Sequence, residues 1–418
     1  MVKIALGFVG FCLIFLNFFC FMSLEVPSNM NETVIVYAKR TPIGKFGGAL
    51  STLSAPQLAA PLVADALKTL HLSGSQVDEI IMGNVLTAGV GQAPARQAAL
   101  YGGLAESVCA TTIGRVCGSG LKAVMLSDQA VRLGDASIIF AGGQESMSLA
   151  PHLLPGSRTG YRYGHVEMKD SCQMDGLWDP YDNMAMGNCG EICAKEYGFS
   201  REDQDGYAIE SYKRSRKAVE SGLFVNELVP VEVKSRKKTQ LVELDEEPFS
   251  VDLDRIPTLR PAFDKEGTVT AANASSINDG AALLVVMSAE AAKQQNLKPL
   301  ARIVGQASYA HAPKMFTTAP IGCIKKLLDK TKLTKDDIAK YEINEAFAVV
   351  PMAAIKELGL DEAKVNSRGG AVSLGHPIGC SGARILVTLL HSLQAGEKGL
   401  ATLCIGGGEA SGVVVERY

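Results

Sequence analysis

With 418 residues, 41 Lys and Arg against 44 Asp and Glu, and a formal charge of −3, the chain lacks the basic field that would hold nucleic acid. Its 47% hydrophobic and 20% charged residues, with 42 Gly and one Trp, exclude a disordered or fibrous polypeptide and fit a well-cored α/β protein; at about 150 residues per domain it holds two or three. The 10 cysteines are too dilute for a disulfide framework and read as free thiols of a reducing compartment.

Ile4–Leu24 is an uncharged apolar run behind Lys3, long enough to span a bilayer. Residues 1–29 therefore read as a hydrophobic leader, or as an extension upstream of a true start at Met30. Scarce Arg and Ser disfavour a mitochondrial transit peptide. The expectation is a cytoplasmic protein, membrane-anchored or exported only if residues 4–24 function as an anchor or signal. Thr33–Ala38 follows as the first strand, Leu58–Leu70 as a helix, Glu79–Val85 as a strand, and Ser137–Ala141 as a buried strand ending in Gly142-Gly143. This alternation predicts βαβ units on a mainly parallel sheet. Residues from about 148 to 272 break the rhythm. Pro151, Pro155 and Gly156 predict loops, Arg201–Ala218 a solvated amphipathic helix, and Lys234–Glu247 a charged, exposed stretch. Gly322–Thr331 then reads as a helix, Lys340–Ile343 as a strand, and Gly399–Ile405 as a buried strand ending in Gly406-Gly407-Gly408.

The later segments repeat the earlier ones. Cys117-Gly-Ser-Gly, a helix to Gly134, and a strand ending Gly-Gly-Gln-Glu145 match Gly379-Cys-Ser-Gly, a helix to Gly396, and a strand ending Gly-Gly-Gly-Glu409. Shared order and spacing imply duplication. The expected organisation is a first half over residues 30–290, carrying the insertion at about 148–272, and a second half over 291–418.

Chemistry concentrates in a few places. Cys117 lies directly before the helix-forming Leu121–Met125, where helix dipole and free amides favour a thiolate; packing at a strand–helix corner is the plainer alternative. His376 sits among glycines in Gly-His-Pro-Ile-Gly, a setting for proton transfer near neutral pH or for a backbone-bonded turn. Cys404 ends the second buried strand, at the edge where such sheets place ligands. Asn344 follows a strand in Asn-Glu-Ala-Phe347 and either caps the next helix or orients a water toward an oxyanion. No metal is expected, since Cys189 and Cys193 have no neighbouring histidine.

From about Thr33 to Tyr418 these residues resemble the thiolase family, most closely its acetyl-CoA acetyltransferase branch. The Cys117 loop, Thr268–Ser275, Asn344–Phe347, the Asn366–Gly382 run and Cys404–Gly408 carry the resemblance. It implies a five-layer αβαβα fold of two duplicated halves with an inserted loop domain, a dimer or tetramer, and CoA thioesters as substrates with no metal or redox cofactor. By resemblance Cys117 takes the acyl group, His376 activates it, and Cys404 removes the α-proton of a second acetyl-CoA to give acetoacetyl-CoA and CoA. His376 with an Asn344-held water implies one oxyanion hole, and the amides of Cys117 and Gly406 the other. Ser275, Ala271, Ala346, Phe347 and Met186 match positions that line the pantetheine path. Gly114, Ala185, Cys380 and Glu409 depart from the usual pattern. A longer-chain 3-ketoacyl-CoA thiolase is the nearest alternative, and a non-catalytic CoA- or lipid-binding thiolase-like protein the next.

Overall fold

The computed structural model describes residues 31–234 and 238–418; the apolar run and the start at Met30 lie outside the described residues. In the first half, β1 (Thr33–Arg40), α1 (Ala55–Leu70), β2 (Glu79–Gly83), α2 (Pro94–Tyr101), β3 (Cys109–Ile113), α3 (Ser119–Leu133), β4 (Ile138–Ser146) and β5 (Asn278–Ser288) follow in order. The segment between β4 and β5 includes α4 (Met186–Tyr197) and α5 (Arg201–Glu220). The second half has β6 (Ala301–Ala310), α6 (Ala319–Thr331), β7 (Ile338–Ile343), α7 (Val349–Leu358), α8 (Ile378–Ser392), β8 (Lys398–Ile405) and β9 (Glu409–Arg417).

The main sheet runs β7-β8-β9-β6-β1-β5-β4-β2-β3, with the two-residue strand Gly44–Lys45 paired to β5 off this path. The order is mirrored about the β6–β1 junction, β6-β9-β8-β7 against β1-β5-β4-β2, with β3 added at the edge of the first half. At the junction the halves share a register of Val34 with Arg302 and Ile35 with Ala301. The sheet is mixed, which corrects the expectation of mainly parallel strands: β2 pairs in parallel with β3 and β4, and β7 with β8, while β1–β5, β5–β4, β6–β9 and β8–β9 are antiparallel. The cause is local. The Gly406–Gly408 turn is too short for a crossover, so β9 can only return beside β8 as a hairpin.

Alternating side chains give the inner strands two buried faces. Ile35, Leu284, Val286, Leu403, Val413 and Val415 join a central core with Leu121, Val124, Ile385 and Leu389 of α3 and α8. Val34, Val36, Leu283 and Val285 face α1 and α2, and Leu400 and Val414 face α6 and α7. These are the αβαβα layers. The central helices touch where neither has a side chain: a Cβ on Gly120 would lie 2.9 Å from the Ala383 amide, and one on Gly382 2.5 Å from that of Leu121. Among the described residues, no helix is long and apolar enough to cross a membrane.

Inside the insertion, the stretch Lys234–Glu247 is exposed as expected over most of its described residues, but its end, with Asp245 and Glu247, is buried. Val231–Lys234 and Thr239–Val242 form a hairpin, and Asp245 beyond it is buried. Its carboxylate accepts two hydrogen bonds from the Arg40 guanidinium at 2.7 and 2.9 Å, while Arg40 Nε donates to Glu227 Oε1 at 2.6 Å. Glu246 accepts from the amides of Lys45 and Ala49. The acidic residues thus bind the insertion to the end of β1, which charge density alone could not reveal. Replacing Arg40 by Met leaves the buried Asp245 without its cation and Glu227 with Arg368 alone, at 3.7 Å, so Arg40→Met should lower stability by about 3–5 kcal/mol, read from the midpoint of urea unfolding.

Candidate active site

The loop before α3 is strapped to itself. The Arg115 amide donates to Ser119 Oγ, which donates in turn to the Val116 carbonyl, each at 2.7 Å. Between these anchors Val116 is held at φ 45°, a strained conformation for a β-branched residue. Gly118 lies flush against β8, since a Cβ there would come within 2.3 Å of Ile405 Cδ1. Cys117 is thereby presented beside the Gly406 turn, where the Gly406 amide and its own amide donate toward its sulfur. Burial nevertheless dominates and, with Glu145 nearby, pushes the Cys117 thiol up to about 11. This corrects the expectation of a thiolate favoured by the helix terminus: in the free protein, loss of water outweighs the two amides.

His376 reaches the same region from the loop before α8. Gly375 takes φ 100° and a Cβ on it would strike Asn278 at 2.4 Å, so only glycine lets the chain turn there. The His376 amide donates to Asn278 Oδ1 at 2.8 Å. On the ring, Nδ1 lies 2.5 Å from Ser381 Oγ and Nε2 lies 3.5 Å from Asn344 Nδ2. Ser381 Oγ spends its own proton on the Pro377 carbonyl at 2.9 Å, which leaves it to accept from Nδ1–H and leaves Nε2 as the free lone pair. Burial, reinforced by the Arg384 charge, lowers the imidazole to about 3, so His376 is neutral at physiological pH.

Asn344 does not cap a helix. β7 ends at Ile343 and α7 starts at Val349 with Ala348 in the cap position. Asn344 is buried beside His376, and its Oδ1 has no hydrogen-bond partner, which suits a residue that holds a water. Cys404 is fully buried; burial, then the neighbouring Cys117, raise its thiol well above the ordinary value. Two thiols from different halves are thus close enough to oppose each other's ionisation. Met186 lies beside the Gly406 turn, its Sδ 3.5 Å from where a Cβ on Gly406 would stand. Ser275 donates from both amide and hydroxyl to the Ala346 carbonyl, each at 3.0 Å. Phe347 stands edge-on to Phe263 and Phe316. Ala271 is exposed on the turn preceding them.

Sequence reasoning missed the carboxylates that brace these loops. Glu145 is wholly buried and accepts from the amides of Val85, Leu86 and Gly379 and from Asn84 Nδ2. Burial raises it to about 7 against those donors. Glu345 accepts from Tyr207, Ser211, Asn366 and the Val372 amide, which fixes the run leading to His376. The available signal was a carboxylate in each otherwise apolar motif, Gly-Gly-Gln-Glu145 and Asn-Glu345-Ala-Phe. Among the described residues, no group of three or more His, Cys, Asp or Glu side chains is placed to hold a metal.

Residues 33–290 match the thiolase N-terminal domain and residues 297–417 the thiolase C-terminal domain. The chain belongs to the thiolase family. It is 50% identical to the acetyl-CoA acetyltransferase of Yarrowia lipolytica over 396 residues, 95% of this chain and 99% of that one. It is also 50% identical to that of Cupriavidus necator, over 93% and 100% of the two chains. A thiolase of Ascaris suum solved with coenzyme A superposes with a TM-score of 0.89 at 43% identity, covering 93% of this chain and 100% of that one. The Bacillus anthracis acetyl-CoA acetyltransferase gives 0.91 at 41%, covering 94% and 100%. This thiolase, with its nucleophile-loop thiol protonated at rest, should label slowly. Iodoacetamide modification of Cys117 in the free protein, followed by mass spectrometry of its peptide, should accelerate steadily from pH 7 toward about 11; a plateau at pH 8 would contradict a burial-dominated thiol.

Proposed function

We propose that this thiolase is an acetyl-CoA C-acetyltransferase that reversibly condenses two acetyl-CoA into acetoacetyl-CoA and CoA through an acyl-enzyme on Cys117. The observation that carries the reading is the meeting of Cys117 with Cys404 and the Gly406 amide, beside a neutral His376 bonded through Ser381. Relatives named acetyl-CoA acetyltransferase at half identity over nearly the whole chain favour a two-carbon acyl group over the longer-chain alternative.

Keeping a thiolate on Cys117 at pH 7 costs about 5 kcal/mol. Proton transfer therefore accompanies attack. His376 Nε2 takes the proton as sulfur bonds to the carbonyl carbon, then gives it to the departing CoA thiolate, which leaves acetyl-Cys117. With the second acetyl-CoA bound, Cys404 passes its own proton to the now neutral His376 imidazole and, as a thiolate, removes a methyl proton. The resulting carbanion attacks the Cys117 thioester, expels the cysteine thiolate and completes the new carbon–carbon bond; the His376 imidazolium returns its proton to Cys117 while Cys404 keeps the methyl proton, which restores the site. Two donor sets hold the oxyanions: Nε2–H of the His376 imidazolium with a water on Asn344, and the amides of Cys117 and Gly406. Removing one such donor costs on the order of 3 kcal/mol of activation energy. Ser275, Ala271, Ala346, Phe347 and Met186 are the residues we assign to the pantetheine path.

Unpaired cysteines at all described positions support a cytoplasmic location. The free edge of β3, with Cys109 and Thr111 exposed, supports assembly with further copies.

Cys117→Ala should abolish both condensation and acyl-enzyme formation without changing the circular dichroism spectrum, whereas retained turnover would overturn the assignment. Cys404→Ser should still form the acyl-enzyme from acetyl-CoA, detected by intact mass, but lose condensation by at least about a hundredfold; equal loss of both steps would remove it as the base. Asn344→Ala should lower kcat by about a hundredfold through the loss of one oxyanion donor, in assays with acetoacetyl-CoA and CoA.

A further inference from the structure

Arg115 and Glu409 are the residues on which the two loops of the second oxyanion hole meet. Arg115 lies two positions before Cys117 and Glu409 three after Gly406. The guanidinium donates from Nε and Nη2 to Glu409 Oε2 at 3.0 and 2.8 Å, and from Nη1 to Ser308 Oγ at 3.0 Å. Both side chains are half-buried. The pair crosses from the first half of the chain to the second, from the nucleophile loop to the start of β9.

We propose that the Arg115–Glu409 pair is a positioning clamp that sets the distance between the Cys117 and Gly406 amides and so tunes transition-state stabilisation; this rests on the acyl-enzyme reading above. Three observations converge on it. The nucleophile loop carries a strained Val116 immediately after Arg115, so it needs an external anchor to hold its shape. Its neighbour Gly114, a departure from the family pattern, supplies no side chain and faces space, with only the Asn84 carbonyl at 4.0 Å from a would-be Cβ. The Gly406 turn, for its part, has Gly407 and Gly408 at φ 93° and 86° and is secured on its far side by the His311 amide donating to the Gly408 carbonyl at 2.8 Å. Its near side is secured by Glu409. The second departure, Glu409, thus supplies a tether across the same loop in which Gly114 supplies none. Lys122 of α3 has its pKa lowered by burial and then by the nearby Arg115 charge, so Glu409 also offsets a local excess of positive charge.

The test compares Glu409→Gln, Arg115→Met, the double variant and Cys117→Ala in the full chain. Each Arg115 and Glu409 single variant should lower kcat for condensation by about tenfold, as misplacement of a catalytic group by a fraction of an ångström does, with KM for acetyl-CoA changed less than twofold. The double variant should be no worse than either single one, because both remove the same tether. Iodoacetamide labelling of Cys117 should also shift its pH dependence upward in each, since the Gly406 amide moves off the sulfur. A role confined to stability would lower the melting temperature and leave kcat and the labelling profile of the folded protein unchanged, which overturns the proposal; so does multiplication of the two single losses in the double variant. If Cys117→Ala retains turnover, the acyl-enzyme reading fails. If Cys117→Ala is inactive while the Arg115 and Glu409 variants match the unsubstituted protein, the clamp alone fails.

Discussion

The constraint on which the site depends is the crossing of α3 and α8 at Gly120 and Gly382, where each helix meets the other's backbone without an intervening side chain. Both glycines stand in the first turn or two of their helices. The loops that feed those helices are therefore forced together, and they are the loops bearing Cys117 and His376. A Cβ at either position would force the helices apart, and the cost would fall on the distance between a nucleophile and its base before it fell on the core. Duplication makes this possible: two copies of one strand–loop–helix unit, related by the mirrored strand order, present equivalent helix starts to a common centre.

What the loops hold is a site with little charge at rest. His376 is lowered to about 3 and Cys117 raised to about 11, so both are neutral near pH 7. Burial is the common cause. In the mechanism proposed above, stabilisation falls largely to fixed dipoles, the amides of Cys117 and Gly406 and the amide of Asn344, which act more strongly in a dry site than in water and need no reorganisation when charge appears. The full charges sit one layer back. Glu145 and Glu345 accept hydrogen bonds from loop amides and side chains, and Arg40 ties the insertion to β1 through Asp245 and Glu227. Charge is used here to hold backbone, and dipoles to meet the transition state.

Much of this arrangement was legible in the sequence where local chemistry dictates it. The buried strands, the repeated Ser-Gly helix starts and the positions of Cys117, His376 and Cys404 follow from periodicity, duplication and motif. Strand direction was not legible in the same way, because it depends on whether a connection crosses the sheet or turns back, and βαβ alternation looks alike until the Gly406–Gly408 hairpin is placed. The Cys117 thiol was misjudged because the helix terminus is visible in sequence while the depth of burial is not. Asn344 looked like a helix cap because strand and helix are separated by a short segment; the helix starts four residues later than a cap would require. Asp245 was read with an exposed, charged stretch because its partner, Arg40, is more than two hundred residues away.

The same symmetry explains why the proposed mechanism has one candidate nucleophile rather than two. In the aligned repeat, the position of Cys117 is occupied in the second half by Gly379. A Cβ there would come within 2.5 Å of Glu145 Oε2 and 3.0 Å of the Asn84 backbone, so no thiol fits. Instead the Gly379 amide donates to Glu145 at 2.8 Å. That carboxylate also binds the amides of Val85 and Leu86, so the start of α8 is locked to the loop after β2. A carboxylate in place of a second thiol fixes the His376 loop at the cost of raising Cys117, to which Glu145 adds an unfavourable charge. The next residue, Cys380, is as deeply buried, and burial sends its thiol to about 12; without the two amides that face Cys117, it stays inert beside the site. Divergence of two equivalent helix starts, one keeping the thiol and the other exchanging it for a braced glycine, separates nucleophile from base and leaves a single place where the acyl group can be held.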